Sequence, residues 1–405
     1  MSITARERFL DICHFERLGD LYIRDSFWPE TLEEWVKQGA PKQIVVVPTM
    51  EEQFRGTPFL YDYFHFDPRP YWLTEVISGI GGVAAHRPPE LDSRIVLFWA
   101  QYTPIVPYYE PKIISEDERT VTFTSGDRQT LKVFKDSPLK MPMFLDWPVK
   151  DRASWNELKK RLDPNTPARW PSDWKAYVQE MNKLGEDIPI SLEVGGFYGY
   201  LREWVGTERI LYMFYDDPVL IEDMMEQMLY LETEVIKRVV KDIRVDMVTF
   251  WEDMCYKSGS LISPAMVRKF MMPRYKKITD LLRSNGVDII FLDSDGNVEQ
   301  LIPLWLESGI NYIWPFEVAA GNDAVALRKK YGKDLIIGGA IDKRALIKGK
   351  EAIREEVISK VPFLLEQGGY FPTTDHGVPP DVTFENYCYY INLMREVAGL
   401  ERLSF

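Results

Sequence analysis

Asp293 and Asp295 stand two residues apart at the end of an apolar run, in the stretch Phe291-Leu-Asp-Ser-Asp-Gly-Asn297. An apolar run of this kind ahead of Gly296 reads as a buried strand ending in a tight loop. Residues two apart on a strand share a face, so both carboxyls can converge on one site at the strand's carboxyl end, where parallel α/β folds keep their ligands. The alternative is an Asx-turn capping the next helix, which needs only one of the acids. Similar endings recur along the chain. Glu252 and Asp253 follow Phe250-Trp251, and Glu317 follows Pro315-Phe316. Asp342 and Lys343 follow Gly-Gly-Ala-Ile341, Asp375 and His376 follow Thr373-Thr374, and Glu193 lies inside Ile190-Ser-Leu-Glu-Val194. A cluster of acids with one histidine can hold a divalent cation through oxygen ligands and an imidazole. It can also supply general acids and bases whose pKa values are driven apart by like-charge crowding. Of the four histidines, His376 alone falls in this pattern, and its plainer reading is a structural hydrogen bond beside Gly377. His14, His65 and His86 receive no role.

The elements that must position these residues show a regular beat. Strand-like segments recur at Ile188–Val194, Val245–Trp251, Val287–Leu292, Ile310–Phe316, Leu335–Ile341 and Gly369–Thr373. Between and after them the pattern predicts helices over Pro218–Lys241, Pro264–Ser284, Val298–Glu307, Ala324–Tyr331, Glu351–Gln367 and Phe384–Val397. Alternation at this spacing implies right-handed crossovers and a parallel sheet. Ser263-Pro264 and Asp217-Pro218 mark helix starts, and Gly286, Gly309 and Gly332 mark helix ends. With Leu21–Asp25 as the best first strand, the fold class is α/β, an eight-stranded (β/α)8 TIM barrel with an N-terminal helical and β-meander elaboration. An open doubly wound sheet is the alternative. The whole chain, 1–405, reads as a single barrel domain. It carries a meander insertion at about 94–150, where Lys112–Ser115, Thr120–Thr124 and Thr130–Phe134 are short strands, and a Pro-rich passage from Ser137 to Pro148 cannot be regular helix.

Composition narrows the function classes. A 45% hydrophobic share with 13% aromatics supports a sizeable core in 405 residues. A net charge of -13 argues against a general nucleic-acid or anionic-membrane surface. No apolar run is long enough for a membrane span, and Cys13, Cys255 and Cys388 form no CxxC pair, so a reduced cytoplasmic setting is expected. Gly195-Gly196 with Gly199, and Gly338-Gly339, lack the GxGxxG and Walker patterns and fit close backbone approach better than phosphate binding.

The motifs Leu-Asp-Ser-Asp-Gly-Asn297, Gly-Gly-Ala-Ile-Asp-Lys343 and Asp-His-Gly-Val-Pro-Pro-Asp381, in this order, resemble the uroporphyrinogen decarboxylase superfamily. That superfamily has a (β/α)8 barrel and includes the haem-pathway decarboxylase and cobalamin-linked methyltransferases. The resemblance covers roughly Ile188 to Leu400, and more loosely the stretch from Pro142 to Trp155. Where the decarboxylase carries an Arg-Gln-Ala-Gly-Arg signature for substrate carboxylates, this chain has Ile23-Arg-Asp-Ser-Phe-Trp28, a poor site for a porphyrinogen with eight carboxylates. Where superfamily methyltransferases hold zinc with a His-x-Cys pair and a later Cys, this chain has Asp293-x-Asp295 and, near the third position, Asp375-His376.

The resemblance therefore implies a substrate-specific methyltransferase, moving a methyl group from a small methoxylated compound, aromatic ones included, to the corrinoid of a partner protein. A divalent metal, zinc first, is expected on some of Asp293, Asp295, Glu317 and His376. Glu252, Asp253, His376 and Tyr200 are the expected catalytic side chains, and Glu193, Trp251, Asp342 and Lys343 the expected substrate contacts. The expected partners are a corrinoid protein and a small methylated substrate, with a homodimer open. The alternatives are a metal-free decarboxylase of a small acid or porphyrin-like substrate, for which Tyr200 is a candidate contact, and a non-catalytic barrel binding a tetrapyrrole or corrinoid.

Overall fold

A computed structural model describes residues 3–45, 58–73, 90, 103–136 and 142–405. His86, the start of the expected meander insertion (94–102) and residues 137–141 of the Pro-rich passage lie outside them. The strands, in chain order, are β1 (Tyr71–Trp72), β2 (Lys112–Glu116), β3 (Thr120–Thr124), β4 (Thr130–Phe134), β5 (Met143–Asp146), β6 (Ile190–Gly195) and β7 (Met247–Trp251). They continue with the ribbon β8 (Cys255–Tyr256) and β9 (Gly259–Ser260), then β10 (Ile289–Asp293), β11 (Tyr312–Trp314), β12 (Ile336–Ile341) and β13 (Tyr370–Thr374). The main sheet runs β1-β6-β7-β10-β11-β12-β13, and every pairing in it is parallel. Helices separate its strands from β6 onward, as apolar runs buried on both faces require. This is the α/β barrel that the alternation predicts, curled from seven ladder strands.

The expected first strand, Leu21–Asp25, is extended but makes no ladder. Side-chain carboxylates replace the missing backbone bonds. Asp25 accepts from the Thr374 backbone N–H (2.7 Å), the Thr374 hydroxyl (2.8 Å) and the Tyr387 hydroxyl (2.8 Å), while Asp67 accepts from the Ile23 N–H at 2.7 Å. Just beyond, Phe27 bridges Val378 in parallel, so this segment closes the barrel beside β13.

Two expected helices are interrupted, both by proline. Pro264–Ser284 contains a π-helical stretch, Val267–Met271, immediately before Met272-Pro273. Proline lacks an N–H and its ring crowds the preceding turn, and a widened turn accommodates it. The expected helix Glu351–Gln367 is two, Lys350–Ile358 and Val361–Gln367, with Pro362 in the first turn of the second. The meander β2-β3-β4-β5 is antiparallel, as its short loops predict, and the Pro-rich passage that cannot be helix supplies its fourth strand, Met143–Asp146. Pro142 precedes that strand at the sheet's edge, where a missing donor costs nothing.

Side chains inside the barrel form one cluster: Tyr22, Met247, Ile289, Phe291, Tyr312, Ile336 and Phe371, joined by Phe9, Ile12 and Cys13 of the helix Ala5–Cys13. Phe291 meets Tyr312 edge-on at 4.8 Å, and Tyr312 stacks on Phe371 at 5.3 Å. Aromatic packing thus fills the amino half of the barrel and leaves the carboxyl half for polar groups. Among the described residues, no helix is long and apolar enough to cross a membrane, and the three cysteines are buried and free.

Candidate active site

Register decides which side chains meet at the carboxyl end. Asp293 pairs with Trp251 of β7 on one side and Trp314 of β11 on the other, so the three stand in a row on the inward face. Glu193 pairs with Thr249 one level below Trp251. All four of Glu193, Trp251, Asp293 and Trp314 are half-buried, opening into the mouth of the barrel. Burial pushes the Asp293 carboxyl well above the ordinary range, and Asp295, Asp253 and Glu193 add to it. Asp295 is pushed up to about 7, first by burial, then by Asp253 and Glu317, against the pull of Lys343 and Arg202. Glu193 is pushed up to about 7 by burial alone. Three acids are thereby held so that proton donation is available near neutral pH.

Glu193 gives a stability test. Its folded value lies above its free value of 4.5, so the folded state binds the proton more tightly and stability falls as pH rises from about 4.5 through 7. Glu193→Gln keeps the shape and removes this loss. In urea unfolding, the wild type is expected to lose on the order of 1 kcal/mol more than Glu193→Gln between pH 5 and pH 8, discounted for the partial opening of the side chain to solvent. Identical pH slopes would show that Glu193 does not carry this strain.

Several expected site residues are committed elsewhere. Glu252 is fully buried and accepts from the backbone N–H groups of Phe197 (2.8 Å), Tyr198 (2.7 Å) and Gly199 (3.0 Å) and from the Tyr275 hydroxyl. It is a structural anchor, not a catalytic acid, because none of it reaches the mouth. Asp253 has a left-handed backbone (φ 44°) and pairs with Arg202 at 2.8 Å, which neutralises it. Tyr200 is buried, edge-on to Trp251 at 5.8 Å and stacked on Trp204 at 6.0 Å, so it supports the wall of the mouth. Asp342 caps the helix Lys343–Lys348 through the Arg344 N–H and pairs with the Arg344 guanidinium at 2.8 Å. The capping alternative holds for Asp342 and fails for Asp293 and Asp295.

Lys343 does reach the rim. Its ammonium lies 3.5 Å from Asp375 and 4.0 Å from Glu317. Asp375 is buried and also accepts from the backbone N–H groups of Val318 (3.0 Å) and Lys343 (3.3 Å). His376 sits with Nε2 3.9 Å from Asp295, and its ring lies 6.3 Å from that of Trp314. Burial and Lys343 lower the His376 pKa, which keeps the ring neutral at pH 7.

The expected metal ligands do not fit an ion. Among the described residues, no three His, Cys, Asp or Glu side chains are grouped to hold one. Glu317 is engaged by the Gly296 N–H at 2.8 Å and by Lys343. His376 accepts the Gly377 N–H on Nδ1 at 2.9 Å, an assignment that follows from the hydrogen-bond network. The neutral ring then carries its proton on Nε2, toward Asp295, as a donor rather than a ligand. The chemistry open to this arrangement is proton transfer.

Four further residues belong to the site. Trp314 precedes Pro315 and completes the row with Asp293, and Asp375 orients Lys343. Arg202, on the helix Gly199–Val205, neutralises Asp253 and lies 5.2 Å over the Trp251 ring. Arg24 follows Tyr22 by two residues on the barrel-closing segment, with a buried Nη1 that meets no hydrogen-bond partner among the described residues. Strand parity marks Trp314 in the sequence. Nothing local in the sequence ties Arg202 to Asp253.

A sequence model of the family described as uroporphyrinogen decarboxylase (URO-D) matches residues 137–397. The chain belongs to this family. Among its URO-D relatives, uroporphyrinogen decarboxylase 2, chloroplastic, of Oryza sativa subsp. japonica is 21% identical over 272 residues, 64% of this chain and 64% of that protein, so the match spans just under two thirds of the rice enzyme. The uroporphyrinogen decarboxylase of Sulfurovum sp. (strain NBC37-1) is 27% identical over 278 residues, 64% of this chain and 73% of that one. A solved structure, a methyltransferase from Methanosarcina mazei, superposes with a TM-score of 0.54 at 16% identity, covering 98% of this chain and 99% of the other. At that identity the likeness concerns the fold. The URO-D barrel is thus shared with proteins named for two different reactions.

Proposed function

We propose that this URO-D family member is a methyltransferase that removes a methyl group from a small methoxylated compound and delivers it to a corrinoid carried by a partner protein. The observation that carries the reading is the Asp293–Asp295 pair, raised toward protonation at the open end of the barrel. Breaking a methyl–oxygen bond leaves an electron pair on oxygen, a poor leaving group unless protonated in the same step. Asp295 donates that proton to the ether oxygen and becomes a carboxylate facing His376, whose Nε2–H stands on that side. Asp293 keeps its own proton, and Lys343 and Arg202 stabilise the new negative charge. The corrinoid would supply the two-electron nucleophile that accepts the methyl group. A protonated carboxyl takes the polarising role that the family resemblance would assign to a metal ion.

The second reading is decarboxylation of a small acid, favoured by the URO-D names of the relatives and by Arg24, whose buried Nη1, without a partner among the described residues, suits an anionic group. One assay separates the two. The protein is mixed with a reduced corrinoid carrier and a panel of methyl ethers, methylamines and betaines, following the cobalt absorbance, while a parallel panel of carboxylic acids is monitored for CO2 release. Cobalt methylation with an ether is the expected result. CO2 release without cobalt methylation would establish the second reading instead.

A further inference from the structure

Trp251 and Trp314 are large, half-exposed into the mouth and fixed in place. The pairing of both with Asp293 sets them at one level on either side of it. Each indole is seated against a glycine. A Cβ on Gly199 would lie 2.8 Å from Trp251 Cε3, and a Cβ on Gly338 would lie 2.9 Å from Trp314 Cδ1. The two glycine-rich stretches therefore make room for these rings. Each indole is also pinned from the side. Arg202 and Tyr200 hold Trp251, and the Trp314 Nε1–H donates to the Thr373 hydroxyl at 3.3 Å, with the His376 ring 6.3 Å from the Trp314 ring. Tryptophans usually serve packing, yet these two keep exposed surface where the other large inward residues are fully covered. Rigid aromatic surface beside a few convergent polar groups is how pockets recognise flat apolar ligands.

We propose that Trp251 and Trp314 are the two walls of a slot for a flat aromatic ring, with Asp293 at its floor, so that the substrate is an aryl methyl ether. Two strands apart, the wall backbones stand roughly 10 Å from each other. The floor acids (Glu193, Asp293 and Asp295) lie in a largely buried setting where a charged group would lose its hydration, so the ether-bearing edge points down toward them and any charged substituent points outward to solvent. The slot deepens the methyl-transfer reading and rests on it for the ether. Ring recognition itself stands on the two walls.

The test compares 2-methoxyphenol with 2-methoxycyclohexanol, which has the same substituents on a puckered saturated ring. Titrations are followed by tryptophan fluorescence and calorimetry, with no corrinoid present. The wild type is expected to bind 2-methoxyphenol at least about 10-fold more tightly, the scale that stacking on two aromatic walls provides. Trp314→Ala, Trp251→Ala and Gly338→Ala should erase that preference, and Trp314→Phe should keep most of it. Equal binding of the two compounds by the wild type overturns the slot without recourse to any variant, and so does a preference that survives both Trp→Ala changes. Preferential binding of 2-methoxyphenol without methyl transfer to a corrinoid carrier would keep the slot and remove the methyltransferase reading. Methyl transfer that proceeds equally well from both compounds would do the reverse.

Discussion

Asp295→Asn is expected to lower turnover in the methyl-transfer assay by about 10²–10⁴-fold, the usual worth of a positioned general acid. Asn keeps the size of the side chain and cannot give up a proton. The wild type should show an alkaline limb, with activity full while Asp295 is protonated and lost as pH rises through about 7. That limb should be missing from the residual activity of Asp295→Asn. Lys343 pulls the Asp295 pKa down, so Lys343→Met should move the wild-type limb to higher pH rather than abolish it. Turnover near the wild-type level in Asp295→Asn, or a limb that stays put in Lys343→Met, would remove Asp295 from the reaction.

The barrel was legible in the sequence because its signals are local and redundant. β6, β7, β10, β12 and β13 fall within two residues of the apolar runs that predict them, since a strand buried on both faces has few other ways to be written. Ala324–Tyr331 and Phe384–Val397 have the bounds that the helical pattern predicts, the first ending at Gly332 as expected. Pro273 and Pro362 are local signals too, since neither leaves a continuous α-helix through its position. Leu21–Asp25 was harder, because it closes the barrel through Asp25 and Asp67 side chains whose partners lie far off in the chain.

The site was half legible. Parity along one strand predicts that Asp293 and Asp295 share a face, but β10 ends at Asp293 and Asp295 lies in the loop beyond it. The ladder register between strands is what sets Trp251 and Trp314 level with Asp293 and Glu193 one level below. What the sequence does not carry is the partner of each acid. Glu252, Asp342 and Asp293 are all acids at strand ends, and only the fold reveals that the first meets three amide donors, the second an arginine, and the third other acids. The same holds for His376, whose donor role follows from a single backbone N–H.

That distinction predicts a large effect at Glu252 of a different kind. Glu252→Ala leaves the N–H groups of Phe197, Tyr198 and Gly199 and the Tyr275 hydroxyl buried without their acceptor. Unpaired buried donors cost about 1–3 kcal/mol each before relaxation, so a net loss of roughly 3–5 kcal/mol is expected in urea unfolding. Thermal melting should fall by on the order of 10 °C. Glu252→Gln retains one acceptor oxygen but turns an amide NH2 toward donors, and should lose about 1–3 kcal/mol. The loop this carboxylate ties down carries Gly196 and Gly199, which lie against Trp251, so both variants should also loosen the aromatic wall. Loss of activity should then follow loss of structure, with turnover per folded molecule falling far less in Glu252→Gln than in Asp295→Asn. A Glu252→Gln protein that melts with the wild type yet is inactive would return Glu252 to the chemistry and displace Asp295 as the sole proton donor.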